Sequence, residues 1–292
     1  MKTIGVLSSS SAVSRQALAE GVAYWKQRGY AVEESAFLYG KKRFVAGSDE
    51  QRLEDLHAFF ANGEIDLIME AGGGYGSSRL LRRIDYDLVA RHKKPLIGLS
   101  DTTALQLALL AKSGLVSFSG YLMKKRFGRV IAPYTEQSLL DCLAGRDQVF
   151  SGLETEYRGA PVSGRLTGGC LSLVVSLAGT PYFPDPSGNI LILEDVSEEP
   201  YAIDRMLTQL ENAGVFDRIA AVVFGVFLDC KAKDPQDGTI DDVLNEWKKR
   251  IKAPVYTGFP YGHQAGSVVW PVGGEGVLES GSLLVKGVSF NG

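Results

Sequence analysis

Ile65-Asp66-Leu67-Ile68-Met69-Glu70-Ala71-Gly72-Gly73-Gly74-Tyr75-Gly76 reads as an apolar strand that runs straight into a glycine turn. A second stretch repeats the form. Pro95-Leu96-Ile97-Gly98 reads as a strand, Leu99-Ser100-Asp101 as a turn, and Thr102 to Ala111 as a helix. Short apolar runs bounded by glycine or polar residues mark buried strands, and apolar residues at helical spacing mark packed helices. Working outward, Ile4 to Leu7 and Tyr30 to Glu34 are expected strands, Ser14 to Arg28 and Gln51 to Asn62 are expected helices, and Ser78 is expected to open a helix running to Ile84. Strand, turn and helix alternate, which predicts an α/β fold with a mostly parallel N-terminal sheet flanked by helices.

Between residues 145 and 165 the chain is polar, carries glycine and loses its period. That stretch is expected to be a linker, giving an N-terminal α/β domain over 1–150, a linker over 151–165 and a C-terminal domain over 166–292. At ~150 residues per domain, the 292 residues suit two domains. The C-terminal part again alternates. Asn189 to Leu193 and Ala220 to Leu228 read as strands, and Tyr201 to Ala213 and Ile240 to Ile251 as helices. From Ser267 onward apolar and polar residues alternate with glycines between them, which predicts a tail of antiparallel strands.

Composition narrows the function. Lys plus Arg is 31 against 34 for Asp plus Glu, a net charge of −3 that argues against a nucleic-acid partner. Three cysteines, Cys142, Cys170 and Cys230, form no C-x-x-C pair, so neither a disulfide framework nor a structural zinc site is expected. No run approaches the ~20 apolar residues of a membrane span, and the first apolar run is too short for a signal peptide. A cytoplasmic protein without membrane contact is the expectation. Only His57, His92 and His263 are available for imidazole chemistry.

Four places could carry chemistry. Ser100 lies at a strand-to-helix turn, where a hydroxyl is lifted off the sheet edge and helix N–H groups can face an oxyanion. The pattern is not G-x-S-x-G, because Thr102 stands where the second glycine would be, and a plain helix cap fits the same residues. The glycine loop Ala71–Gly76 matches neither a phosphate-loop nor a dinucleotide fingerprint; it is either a tight turn or an anion cradle. Glu194-Asp195 ends a strand, where α/β proteins place their sites, although a solvated acidic loop is an equal alternative. His263 sits in a loop rich in glycine and proline. His57 reads as a surface helix residue and His92 as a basic helix end, so a catalytic histidine would be His263.

The order of motifs resembles the LD-carboxypeptidase family of serine peptidases, which includes the microcin-immunity peptidases. The motifs here are Arg43-Phe44-Val45-Ala46-Gly47, Arg52-Leu53-Glu54-Asp55-Leu56, Gly73-Gly74-Tyr75-Gly76 and Gly98-Leu99-Ser100-Asp101. Gly168-Gly169, Gly179-Thr180-Pro181, Leu193-Glu194-Asp195, Asp204-Arg205-Met206-Leu207 and Gly262-His263 follow. The resemblance implies a triad of Ser100, Glu194 and His263. It also implies an oxyanion hole of the Gly74 and Asp101 N–H groups, with substrate contacts at Gly73 and Tyr75. It further implies release of terminal D-Ala from murein tetrapeptides in cell-wall recycling, a small peptide substrate, no metal or cofactor, and a homodimer. Alternatives are a microcin-immunity peptidase acting on peptidyl- or aminoacyl-nucleotides, which would want an aromatic to stack the base, and a non-catalytic ligand-binding α/β protein. Two departures stand out: Gly72 replaces the family's usual arginine and Cys170 its common asparagine.

Overall fold

The computed structural model describes residues 1–124 and 130–290. Its first sheet contains β1 (Thr3–Leu7), β2 (Ala31–Glu34), β3 (Leu67–Glu70), β4 (Leu96–Gly98) and β5 (Ser117–Ser119). These five strands are parallel, in the order β5-β4-β3-β1-β2. Helices α1 (Arg15–Gln27), α2 (Asp49–Ala61), α3 (Tyr86–Arg91), α4 (Thr102–Ser113) and α5 (Pro133–Leu143) belong to this half. Ser14 caps α1 and a Ser48–Gln51 capping box opens α2, each satisfying N–H groups that the first helical turn leaves without partners.

The second sheet contains β6 (Gln148–Ser151), β7 (Val162–Cys170), β8 (Ile190–Val196), β9 (Ala221–Leu228) and β10 (Val255–Tyr256), with α6 (Leu171–Leu177), α7 (Pro200–Asn212) and α8 (Ile240–Arg250) between them. Strands β7 to β10 are parallel. The C-terminal strands β11 (Trp270–Val272), β12 (Glu275–Glu279) and β13 (Ser282–Val285) pair antiparallel, as their alternating sequence predicts. The fold is therefore the expected α/β one, with a mostly parallel first sheet and a β-rich tail.

Three details differ from the sequence reading. Ser78–Ile84 is not one helix but two single 3₁₀ turns, Ser77–Arg79 and Leu81–Arg83. Arg79 and Arg83 are drawn to Asp49 (2.8 Å) and Glu50 (2.7 Å) at the start of α2, which holds the chain in separate turns. The expected linker contains the end of β6 and the start of β7, because Gln148–Ser151 alternates buried and exposed over too few residues to show a period. Finally, β11 leaves the second half and adds antiparallel to β5 at the edge of the first sheet.

Helix α4 joins the two halves. It is buried over most of its length and packs against β4 and β5 on one side and α6 and β7 on the other. Its sequence is apolar nearly all round, as a helix enclosed by two layers requires. The turn at its N-terminus, which carries Ser100, is thereby held at the meeting of the two sheets. Among the described residues, no helix is long and apolar enough to cross a membrane.

Candidate active site

Ser100 has φ +68°, a left-handed conformation that non-glycine residues adopt at a cost. Asp101, the N-cap of α4, makes no side-chain cap hydrogen bond, and Ser100 contributes through its carbonyl, which accepts from Thr103 N–H at 2.9 Å. The plain-cap reading of this turn therefore does not hold. Gly73 lies directly over the serine. A Cβ at that position would stand 2.9 Å from Ser100 Cβ and 3.1 Å from its Oγ, so only glycine allows the loop to approach this closely. The glycine loop and the serine turn thus form one surface, with Gly74 N–H on one segment and Asp101 N–H on the other.

Glu194 and His263 come together. Glu194 lies within the buried run of β8, at a register shift between Leu193 and Asp195, the kind of irregularity that re-aims a strand side chain. It is 0% exposed. His263 Nδ1 lies 2.7 Å from Glu194 Oε2. A carboxylate can only accept, so in the neutral imidazole this contact places the proton on Nδ1 and leaves the lone pair on Nε2. The loop before the histidine docks on β9 through Val226 N–H to Tyr261 O at 2.9 Å. Gly262 takes φ +140°, and a Cβ there would stand 2.9 Å from Glu194 Oε2, so this position needs glycine on both counts.

The serine turn and the Glu194–His263 pair belong to one neighbourhood. Thr103, three residues past Ser100, accepts from Cys170 N–H at 3.1 Å, and Cys170 is the register partner of Glu194 across β7 and β8. Ser119 of β5 and Tyr261 share a hydroxyl–hydroxyl hydrogen bond of 2.7 Å. Asp195 is turned elsewhere. It accepts from Ser172 N–H (2.8 Å) in the first turn of α6 and from Cys170 Sγ, and it is buried rather than part of a solvated loop.

The other histidines are accounted for. His57 Nε2 accepts from Asp85 N–H at 3.0 Å, and burial lowers its pKa, so it serves as a neutral structural acceptor rather than a loose surface group. His92 ends α3, where its N–H donates to Leu88 O. All three cysteines are buried free thiols. Burial pushes Cys142 up to about 12 and Cys230 to about 11, and raises Cys170 as well, so none is poised as a nucleophile. Among the described residues, no cluster of three His, Cys, Asp or Glu side chains could hold a metal ion.

A buried polar layer beneath the turn escapes the sequence reading. Glu70 closes β3 at 0% exposure; Oε2 accepts from Ser9 N–H at 3.1 Å and Oε1 has no hydrogen-bond partner among the described residues. Arg52, buried in α2, donates to Gly76 O at 2.8 Å, to Ser9 O and to Asp49. The available signals were a carboxylate closing an apolar strand and an arginine beside the apolar stripe of a helix. Burial raises Glu70 from the ordinary 4.5 to about 7, with Asp101 adding to the rise and the Ser9 hydrogen bonds and Arg52 opposing it. The folded protein therefore keeps this proton between about pH 4.5 and 7, where the unfolded chain releases it, so stability falls as pH rises through that window. Replacing the carboxyl by Glu70→Gln is expected to raise the unfolding free energy at pH 8 by up to about 3 kcal/mol, and by much less at pH 4. Urea denaturation at the two pH values measures this; an equal effect at both would remove the buried charge as its cause.

Matches to two family models span most of the chain: the LD-carboxypeptidase N-terminal domain over residues 4–120 and the LD-carboxypeptidase C-terminal domain over 163–278. The chain belongs to the LD-carboxypeptidase family. It is a hydrolase of the peptidase class that family defines. The murein tetrapeptide carboxypeptidase of Pseudomonas aeruginosa is 31% identical, over 96% of this chain and 94% of that protein. The crystal structure of muramoyltetrapeptide carboxypeptidase from Oxalobacter formigenes superposes with a TM-score of 0.89 at 30% identity, covering 99% of each chain. The microcin C7 self-immunity protein MccF of Escherichia coli is 27% identical over 93% of this chain and 88% of its own.

Proposed function

We propose that this LD-carboxypeptidase family member hydrolyses the L,D-peptide bond of murein tetrapeptides and releases terminal D-Ala, as a step of cell-wall recycling in the cytoplasm. The observation that carries the mechanism is the buried Glu194–His263 hydrogen bond of 2.7 Å, placed where β7 and β8 meet the serine turn. Ser100 Oγ attacks the scissile carbonyl while its proton passes to His263 Nε2. The carbonyl electron pair moves onto oxygen, which the N–H groups of Gly74 and Asp101 hold. Collapse expels the amine of D-Ala, which takes the proton back from His263. Water then repeats the sequence on the acyl-serine and frees the tripeptide carboxylate. Glu194 holds the imidazole tautomer throughout and stabilises the imidazolium.

A second reading has one observation in its favour. Phe44 (53% exposed) and Tyr75 (47% exposed) meet edge to face beside the glycine loop, with ring centroids 5.5 Å apart. An aromatic surface of this kind could stack a nucleobase, as a microcin-immunity substrate would need. The arginine usual before Gly73 is replaced by Gly72, and a Cβ there would stand 3.2 Å from both Lys124 Cδ and Val13 Cγ1, so these two side chains occupy the space a larger residue would need. Purified protein offered a murein tetrapeptide and an aminoacyl-sulfamoyl adenosine in parallel is expected to release D-Ala from the first with the higher kcat/KM. The opposite preference would assign the site to nucleotide conjugates, and turnover of neither would leave a ligand-binding protein.

A further inference from the structure

Asp101 follows the proposed nucleophile, yet its carboxylate points away from the helix it precedes. Its Oδ2 accepts from the Ser10 hydroxyl at 2.6 Å and from Ser77 N–H at 2.8 Å. The Ser77 hydroxyl in turn donates to the Asp101 carbonyl at 2.6 Å. Ser77 closes the glycine loop, and Ser10 belongs to the serine run that follows β1. The same run grips the loop a second time: Tyr75 N–H donates to Ser11 Oγ at 3.1 Å and Ser11 N–H to Gly73 O at 3.4 Å. Ser10, Ser77 and Asp101 are all buried. One enclosed carboxylate therefore joins three segments distant in sequence.

The two N–H groups assigned to the oxyanion lie on separate segments, Gly74 after β3 and Asp101 after β4. A hydrogen-bonded ladder fixes the strands but not the loops beyond their ends. Oxyanion donors act only when held about 2.7–3.1 Å from the developing charge, and a misplacement of about 1 Å can cost about 100-fold in rate. We infer that the Asp101 carboxylate is a positioning residue that locks the serine turn to the glycine loop through Ser10 and Ser77 and so sets the spacing of the oxyanion hole. This inference rests on the reading of Ser100 as nucleophile. It gives the serine run a role in catalysis without substrate contact.

The test is steady-state D-Ala release from murein tetrapeptide by the full chain and by Asp101→Asn, Asp101→Ala and Ser10→Ala, per folded molecule. An asparagine oxygen can accept both hydrogen bonds, so Asp101→Asn is expected to keep kcat within about tenfold of wild type. Asp101→Ala is expected to lose about 100-fold in kcat and Ser10→Ala about tenfold, each with KM within about threefold. A wild-type kcat in Asp101→Ala overturns the inference. So does an Asp101→Asn loss as deep as that of Asp101→Ala, or a change confined to KM. If Asp101→Ala does not fold, Ser10→Ala decides, and a wild-type kcat there overturns the inference. Wild-type protein that releases no D-Ala would fail the proposed function instead, before any variant is compared.

Discussion

Ser100→Ala is expected to lower D-Ala release by about 10⁴-fold or more while the protein stays folded. The hydroxyl is the atom that bonds the scissile carbon, so its loss removes the covalent route, and only oxyanion stabilisation and binding remain. The fold should tolerate the change. The serine turn is held by the Thr103–Ser100 backbone hydrogen bond and the Asp101 bonds to Ser10 and Ser77, none of which uses the Ser100 side chain. Substrate affinity should change little, because Ser100 contributes a reacting atom rather than a recognition group. Matched thermal melts and kcat/KM values for the two proteins check both halves of the statement. A folded variant within about tenfold of wild type would mean that another group attacks the bond.

Glu194→Gln carries the second large effect, an expected fall of about 10³–10⁴-fold in kcat with KM nearly unchanged. The buried carboxylate accepts from His263 Nδ1 and so keeps Nε2 available as the base. A glutamine amide at 2.7 Å can donate to Nδ1 instead, which puts the ring proton on Nε2 and removes the base. It also withdraws the negative charge that stabilises the imidazolium formed during attack. Gly262→Ala should act on the same contact from the other side, since its Cβ would crowd Glu194 Oε2. A Glu194→Gln protein retaining wild-type kcat at neutral pH would show that His263 does not depend on this carboxylate.

Much of this organisation was legible in the sequence, for physical reasons that also mark where it stopped. Strands such as Ala221–Leu228 and helices such as Pro200–Asn212 carry their burial pattern within a few consecutive residues, so local periodicity suffices to place them. Ser77–Arg83 escaped because its conformation answers to Asp49 and Glu50 on another helix. The return of Trp270–Val272 to the first sheet leaves no local trace either. Residue types singled out Ser100, Glu194 and His263 as candidates, and the expectation that they act as one triad came from the family resemblance, not from spacing. The supporting layer was invisible for a different reason. Ser10 and Asp101 lie 91 residues apart and Ser9 and Glu70 61, and a serine run after a strand reads locally as nothing more than a turn. Buried polar groups need partners, but sequence does not say which ones.

The most direct measurement is a crystal structure of the Ser100→Ala variant with intact murein tetrapeptide bound. The account predicts the carbonyl carbon before D-Ala at about 3–3.5 Å from the position of the missing Oγ, its oxygen facing the N–H groups of Gly74 and Asp101, and His263 Nε2 on the side of the D-Ala nitrogen. A tetrapeptide bound with that carbonyl turned away from residue 100, or seated at another part of the molecule, would contradict it.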